Sequence, residues 1–522
     1  MSKKQINFFT LLILSLIIMF INIGGLSIYA LDEAKNAVAA REMWESGNWI
    51  VPTFNYELRF DKPPLHYFFM MLAYELFGYG EFAARFFASL AGVSTIIMTY
   101  LFARKYFDES VAYYTGFVLV CSLHLALQFH MAVPDPFLIF FLTAASLSFY
   151  TGITDKKRRW IIICYLALGL AVLSKGPVGI ALPGLSFLLY LLWTKQFTWS
   201  NIKWLQPWTG LLIVLLVAGP WYIAVYQATD GLWIEEFFFK HNVSRFSAPM
   251  EGHGGLFLIT WAFVLGGMLP YGVFIPQAFI IAWKGRNNHA LLFSLISAAV
   301  IILFFSISST KLPNYTVPSY PFLAILLGYF INKITAFNWV KRTSYLISLS
   351  VFLLICLAFP IGIYLAFTED DSLRDLAYVG WYMIPVSILG LVTFYLGFKK
   401  RYEAAIRYQG ATFFVASIIF FQLAFATVDP KNPVTESLQT LDVSRGFGYY
   451  RSYNSAYSFY LSKPIQVLNK EEVASFFLEN PDGYLLTRNK YFKDLAEIPG
   501  LKIIYAGKDL FESNISIVVI KE

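Results

Sequence analysis

About thirteen separate stretches of this chain are apolar over roughly 18 residues or more, long enough as helices to cross a bilayer core, and no other feature limits its fold so severely. In lipid every backbone N–H and C=O must be paired within the chain, so such stretches fold as a bundle of helices. They fall near residues 8–29, 82–103, 110–128, 134–152, 160–174, 176–194, 207–227, 257–282, 290–307, 316–336, 343–367, 378–398 and 410–428. Composition supports the reading: charged residues make up 14%, against about 25% in ordinary soluble domains, and mean hydropathy is +0.58. A soluble enzyme, a disordered scaffold and a disulfide-stapled secreted module are excluded. Cys121, Cys164 and Cys356 each lie inside an apolar run without metal-ligand spacing and read as core. The first stretch exceeds the apolar run of a signal peptide and reads as a retained anchor.

The distribution of lysine and arginine orients the bundle. With the N-terminus inside, the inner connections carry Lys3, Lys4, Arg104, Lys105, the run 156–159, Lys195, Lys203, Lys284, Arg286, Lys333, Lys341, Arg342, the run 399–401 and Arg407. The outer connections are longer in total yet hold fewer: Lys35, Arg41, Arg59, Lys62, Lys175, Lys240, Arg245, Lys311 and Arg374. Basic loops stay on the cytoplasmic side. A multi-pass plasma (inner) membrane protein with a cytoplasmic N-terminus is therefore expected, and an odd number of spans puts the chain after residue 429 outside, in the periplasm of a bacterium. The net charge of +7 reflects this topology, and nucleic-acid binding is not expected. Beyond residue 430 charges return. Short β-rich runs at 464–468, 484–487, 502–506 and 515–520 alternate with helical patterns at 470–478 and 490–498. The expected architecture is thus an all-α polytopic membrane region, residues 1–429, followed by a small α/β extracytoplasmic domain, residues 430–522.

The informative polar residues gather in the outer connections. The first, residues 30–81, is too long to be a simple connector. It opens with Asp32-Glu33 and a helical pattern ending near Ser46-Gly47, read as an amphipathic helix on the membrane surface with Asp32 as its cap or as a proton-accepting carboxylate. Asp61-Lys62-Pro63-Pro64-Leu65 follows, and the paired prolines fix the approach of Lys62 to an apolar stretch too short to span. Lys62 either snorkels or presents an ammonium to a lipid-linked phosphate. Asp135 between two prolines, Lys175 at the break between two stretches, and Tyr315 near an outer end are each open to a structural or a substrate-binding reading. An outer arginine, Arg245, has no topological reason to be present and suits a phosphate. His241 and His253 could ligate a metal, but as isolated histidines they read as polar groups.

In order along the chain, Asp32-Glu33, Asp61-Lys62-Pro63-Pro64-Leu65, Asp135, Lys175-Gly176-Pro177, Arg245-Phe246 and Lys311-Leu312-Pro313-Asn314-Tyr315 resemble the GT-C class of membrane glycosyltransferases. Within it they are most similar to the lipid A 4-amino-4-deoxy-L-arabinose transferases, distant relatives of the protein O-mannosyltransferases. The likeness extends to about residue 430. It implies transfer of a sugar from a polyprenyl-phosphate donor, on the outer face, to lipid A or another envelope glycolipid, with protein as the alternative acceptor. It implies Asp32 as general base, Lys62 and Arg245 on the donor phosphate with Tyr315 in support, and Asp135 positioning sugar or acceptor. Glu33, Asp61, Lys175, His241 and Lys311 are further possible substrate contacts. Asp61 stands where the arabinose transferases commonly have Glu, which puts a metal contact shared with His241 in doubt. The chemistry is coherent. A hydroxyl needs a base as it attacks the anomeric carbon, and the departing phosphate needs fixed cations in a low-dielectric site. Because a single phosphate leaves, no obligatory metal or cofactor is expected. A secondary transporter, the main alternative outside enzymes, would place charges at midplane and show a duplicated half, whereas here the ionisable residues collect at the outer ends.

Overall fold

Among the residues described, nine helices are long and apolar enough to cross a membrane, and two bent helix pairs raise the number to eleven if each pair is one crossing. The structure is a computed structural model and describes residues 2–28, 31–238, 254–337 and 341–522. The number differs from the expected thirteen at 160–174 and 176–194. There α8 (Arg158–Lys175) is flanked by charge, and α9 (Val178–Trp193) has 16 residues, which at about 1.5 Å per residue rises roughly 24 Å, short of a core of about 30 Å.

Both bent pairs have local causes. Helix α5 (Glu109–Val120), capped by the Asp108 side chain on Val111 N–H, meets α6 (Leu123–Phe129) at 65° because Ser122 starts a new helix, accepting from Leu125 N–H. The expected straight span at 257–282 is instead two helices bent by 119°. The turn between them is tight enough that a Cβ on Gly267 would sit 1.8 Å from the Tyr320 hydroxyl, and one on Gly272 1.9 Å from the Leu265 carbonyl oxygen. Helix α7 (Asp135–Asp155) is enclosed on nearly all sides, whereas α1 (Lys3–Phe20), Arg342–Glu369 and Arg374–Phe398 leave most of their apolar surface outside the protein. Those outer surfaces are the ones a bilayer would cover. All three cysteines are buried and free.

The segment after α1 contains α2 (Leu31–Ser46), a two-stranded ribbon of β1 (Thr53–Phe54) and β2 (Glu57–Leu58), and α3 (Leu65–Phe77) leading to α4 (Glu81–Tyr106). Helix α2 does not lie on a surface as its pattern suggested. Ala34, Ala37, Val38, Ala39, Ala40 and Met43 are all buried, with α3 on one side and the short helix Ala456–Leu461 on another. Small alanines let both neighbours approach closely, so the helix is enclosed although its own sequence is polar on average. Helix α3 has 13 residues and exposes Leu72, Leu76 and Phe77, in keeping with a helix that reaches the lipid boundary without crossing it.

The last ninety or so residues form a five-stranded sheet in the order β4-β3-β5-β7-β6, where β3 is Phe447–Tyr450, β4 Gln466–Leu468, β5 Tyr484–Arg488, β6 Leu501–Lys508 and β7 Ile515–Lys521. Strand β3 runs parallel to β4 and β5 (Gly448 opposite Gln466, Phe447 opposite Tyr484), and β7 runs antiparallel to β5 and β6. Strand β3 was absent from the sequence reading, its aromatic run being too short to show alternation. The helix expected at 490–498 is only a turn, Asn489–Phe492, and a 3-10 turn, Lys493–Leu495, because Pro499-Gly500 ends it.

Candidate functional site

Asp32 and Glu33 are consecutive in the first turn of α2, where a carboxylate is favoured by the helix dipole. About 100° of rotation per residue sends them different ways. Glu33 is buried, with its two oxygens accepting from Arg85 Nε at 2.7 Å and Arg85 Nη2 at 2.9 Å, while Ala132 N–H donates to Oε1 at 2.9 Å. In this geometry the carboxylate is a strut between α2, α4 and the chain before α7.

Asp32 faces the other way and is exposed, although surrounding protein is dense enough for desolvation to be the largest influence on it. The two descriptions agree for a group on the wall of a recess. Burial raises its carboxyl, Lys62 followed by Arg59 and Lys35 lower it, Asp61 raises it, and the outcome is a carboxylate held below its ordinary value. Arg59, which the sequence reading treated only as one more outer cation, is buried at the centre of this arrangement. Its Nη2 lies 3.3 Å from Asp61 Oδ2 and donates to Asn36 Oδ1 at 3.0 Å, and its Nε donates to the Tyr67 hydroxyl at 3.1 Å. Trp233 Nε1 donates to the Arg59 carbonyl at 2.9 Å. His66, whose Nε2 is 3.3 Å from the same Asn36 oxygen, is pushed well below its ordinary value by burial and by Arg59 and Lys62. It is neutral and adds no repulsion to the cations. Asp61 thus orients Arg59, and Lys62 is half-buried beside it, ahead of the buried pair Pro63-Pro64 that begins α3.

A second cluster joins residues that the sequence reading had considered one at a time. Asp135 begins α7, Lys175 ends α8, and Lys175 Nζ donates to Asp135 Oδ1 at 2.6 Å. Asn314 Nδ2 donates to the same oxygen at 3.3 Å, and Lys175 Nζ stands 5.0 Å from the centre of the Tyr315 ring, which also contacts Phe305. Gly176, at φ +73°, turns the chain out of α8 where a Cβ would press on Phe237 at 2.8 Å. Phe69 of α3 stacks on Phe137 of α7 at 4.8 Å, tying the two clusters to one floor.

Lys311, a possible substrate contact in the sequence, is engaged by the protein's own backbone. Its ammonium is buried and donates to the carbonyls of Phe305, Ser306 and Ser308 at 3.2, 2.6 and 2.5 Å, so that all three N–H groups are occupied at the C-terminal end of the helix His289–Ile307. Lys311→Met is expected to lower stability by about 1–2 kcal/mol and to leave substrate KM unchanged; a raised KM at unchanged melting temperature would return Lys311 to the binding site. His241 and Arg245 lie outside the described residues.

Residues 61–223 match the family model described as dolichyl-phosphate-mannose-protein mannosyltransferase. Over 404 residues the chain is 31% identical to an uncharacterised protein of Aquifex aeolicus, covering 77% of this chain and 75% of the relative. It is 31% identical over 347 residues to the undecaprenyl phosphate-alpha-4-amino-4-deoxy-L-arabinose arabinosyl transferase of Edwardsiella ictaluri, covering 64% of this chain and 61% of that one, somewhat less than two thirds of its length. In fold it is similar to the crystal structure of ArnT from Cupriavidus metallidurans bound to undecaprenyl phosphate, with TM-score 0.81, 22% identity and coverage of 98% and 97%.

Proposed function

We propose, for a chain that belongs to the ArnT-like family of GT-C membrane glycosyltransferases, that it moves a sugar from a polyprenyl-phosphate donor to a hydroxyl-bearing envelope glycolipid such as lipid A. The observation that carries the proposal is that, among the described residues, Asp32 is exposed and held ionised by Lys62, Arg59 and Lys35, while the nearby carboxylates Glu33, Asp61 and Asp135 are each engaged by another cation. Undecaprenyl phosphate, bound by the similar Cupriavidus enzyme and named in the Edwardsiella one, supports the choice of donor.

In the reaction the acceptor oxygen attacks the anomeric carbon as Asp32 takes its proton. The bond from that carbon to the phosphate oxygen breaks, and the electron pair leaves with the polyprenyl phosphate. Lys62 and Arg245 receive the growing negative charge, with Tyr315 in support. Direct displacement inverts the anomeric centre. Arg59, held by Asp61 and Asn36, keeps positive potential behind Lys62 without needing to touch the donor. Asp135, neutralised by Lys175, positions the sugar or the acceptor through a fixed polar edge.

The site opens on the outer face, with the N-terminus in the cytoplasm and residues 430–522 outside as a separate extracytoplasmic domain. In support, Arg41 of α2 donates to the Ser458 carbonyl, so the first loop and the tail share a side, and the number of crossings between them is even. The basic inner connections favour the outside for that shared side.

The test is consumption of a panel of labelled undecaprenyl-phosphate sugars by the purified protein, with lipid A or a hydroxyl-bearing peptide as acceptor. One donor consumed with lipid A is the expected result. Transfer to peptide alone would assign a protein acceptor, and hydrolysis or transport of an unrelated solute without any transfer would sink the proposal. Lys62→Ala should raise the donor KM by about ten- to a hundredfold, the loss of one charge-assisted phosphate contact, while acceptor KM stays constant.

A further inference from the structure

The chain entering Asp32 is held from several directions, and one holder comes from the far end of the sequence. Asn22 Nδ2 donates to the Phe421 carbonyl at 2.7 Å, and Arg85 donates to the carbonyls of Ile23, Leu26 and Ser27. The Ser27 N–H and hydroxyl donate to Asp429 at 3.1 and 2.6 Å. One residue later, Ile28 N–H donates to the Tyr460 hydroxyl oxygen at 2.8 Å, and that hydroxyl donates to Glu81 Oε1 at 3.0 Å. Tyr460 therefore joins the approach to α2 with the start of α4, using both its lone pair and its proton.

Its neighbours in the tail do the same around the rest of the first loop. Arg41 Nη1 donates to the Ser458 carbonyl at 2.9 Å and the Tyr79 hydroxyl to the Phe459 carbonyl at 3.0 Å. The Asn55 side-chain amide pairs with the Ile465 backbone in both directions, at 2.8 and 2.9 Å. Beneath these bonds Ile28, Val38 and Met43 share one buried apolar cluster with Phe447, Tyr457 and Phe459. A tail that was only tethered to a membrane region would not share its core. Residues Ser458–Ile465 fasten the loop at four separate places, at a distance in sequence of up to 432 residues.

We propose that Tyr460 is a positioning residue for Asp32 and that the segment 456–465, carried by the C-terminal domain, is the clamp by which it acts: holding Ile28 to Glu81 fixes where α2 begins, and so where the carboxylate stands relative to Lys62. The inference rests on the transfer reaction proposed above. In the full-length protein, Tyr460→Phe leaves Ile28 N–H and Glu81 without their shared partner and removes no atom from the substrate recess. The expected result is a fall of about tenfold in kcat with donor KM within about twofold of wild type, accompanied by faster amide exchange in peptides covering 31–46. Asn55→Ala, which frees the opposite edge of the loop, should move both quantities the same way.

Unchanged exchange in both variants would overturn the clamp, whatever the rate does. Faster exchange with kcat within about twofold of wild type would equally overturn the positioning role. Hydrogen exchange is read without any substrate, so if the wild type transferred no sugar at all the function would fall, while the exchange comparison would still decide whether the tail holds the loop.

Discussion

Asp32→Asn is expected to lower the sugar-transfer rate by about 10²- to 10⁴-fold, the range a positioned general base contributes, without weakening the donor. Asparagine keeps the shape and polarity of the side chain at the start of α2 but cannot accept the acceptor's proton. Because Lys62, Arg59 and Lys35 all act on this carboxylate, removing its charge makes the surroundings more positive, and the affinity for the anionic donor should rise. The pH profile gives an independent reading. Burial pushes the Asp32 carboxyl up, yet Lys62, Arg59 and Lys35 hold it below its ordinary value. A base acts in its ionised form, so the wild-type rate should be flat from neutral pH through mild acid and fall only below the usual carboxylate range. Removing Lys62 takes away the largest lowering influence, so in Lys62→Ala the acid limb should move to higher pH. Single-turnover rates across that range decide the matter: a profile unmoved by Lys62→Ala, or an Asp32→Asn variant as fast as wild type, would place the base elsewhere.

What could be read from the sequence was what depends on near neighbours. Apolar runs give the crossing helices because lipid demands local backbone pairing, and Asp61-Lys62-Pro63-Pro64 is recognisable because its rigidity is written in adjacent residues. Four tail strands were legible from their β-branched and aromatic content. What depends on distant partners was not. Nothing local distinguishes Glu33 from Asp32, since the difference is made by Arg85, 52 residues away. Lys311 looked like an outer cation because its true partners, the last carbonyls of a helix, are backbone atoms that the sequence does not display. Helix α2 carried a surface pattern and is enclosed because the tail returns over it. One signal was available and unused: Arg85 lies near the start of an apolar crossing helix, where an arginine should have a partner, and asking for that partner leads to the acidic pair at the start of α2. His241 and Arg245 fall outside the described residues, so their roles rest on the proposal.

Arg85→Met is expected to destabilise the folded protein by about 3–5 kcal/mol, as removal of one member of a buried ion pair does. Arginine has five N–H donors in a fixed fork, and here the fork takes both oxygens of Glu33 while the remaining donors reach the carbonyls of Ile23, Leu26 and Ser27 at 2.7–3.0 Å. Every donor is used, and the acceptors lie on both sides of Asp32 in the sequence. Methionine fills much of the volume but leaves a buried carboxylate and three carbonyls unpaired. Arg85→Lys keeps the charge, yet three donors on a point-like ammonium cannot serve five acceptors, so it should recover only part of the loss. Glu33→Gln alone should cost less, because its amide oxygen can still accept from Ala132 N–H. In the double variant the uncompensated charge is gone, and the destabilisation should fall short of the sum of the two single losses by about 1–3 kcal/mol of coupling. Melting temperatures of the four proteins in one detergent measure the cycle. Additive losses would mean that the pair is not coupled, and the strut that fixes the start of α2 would then have to be the carbonyl contacts alone.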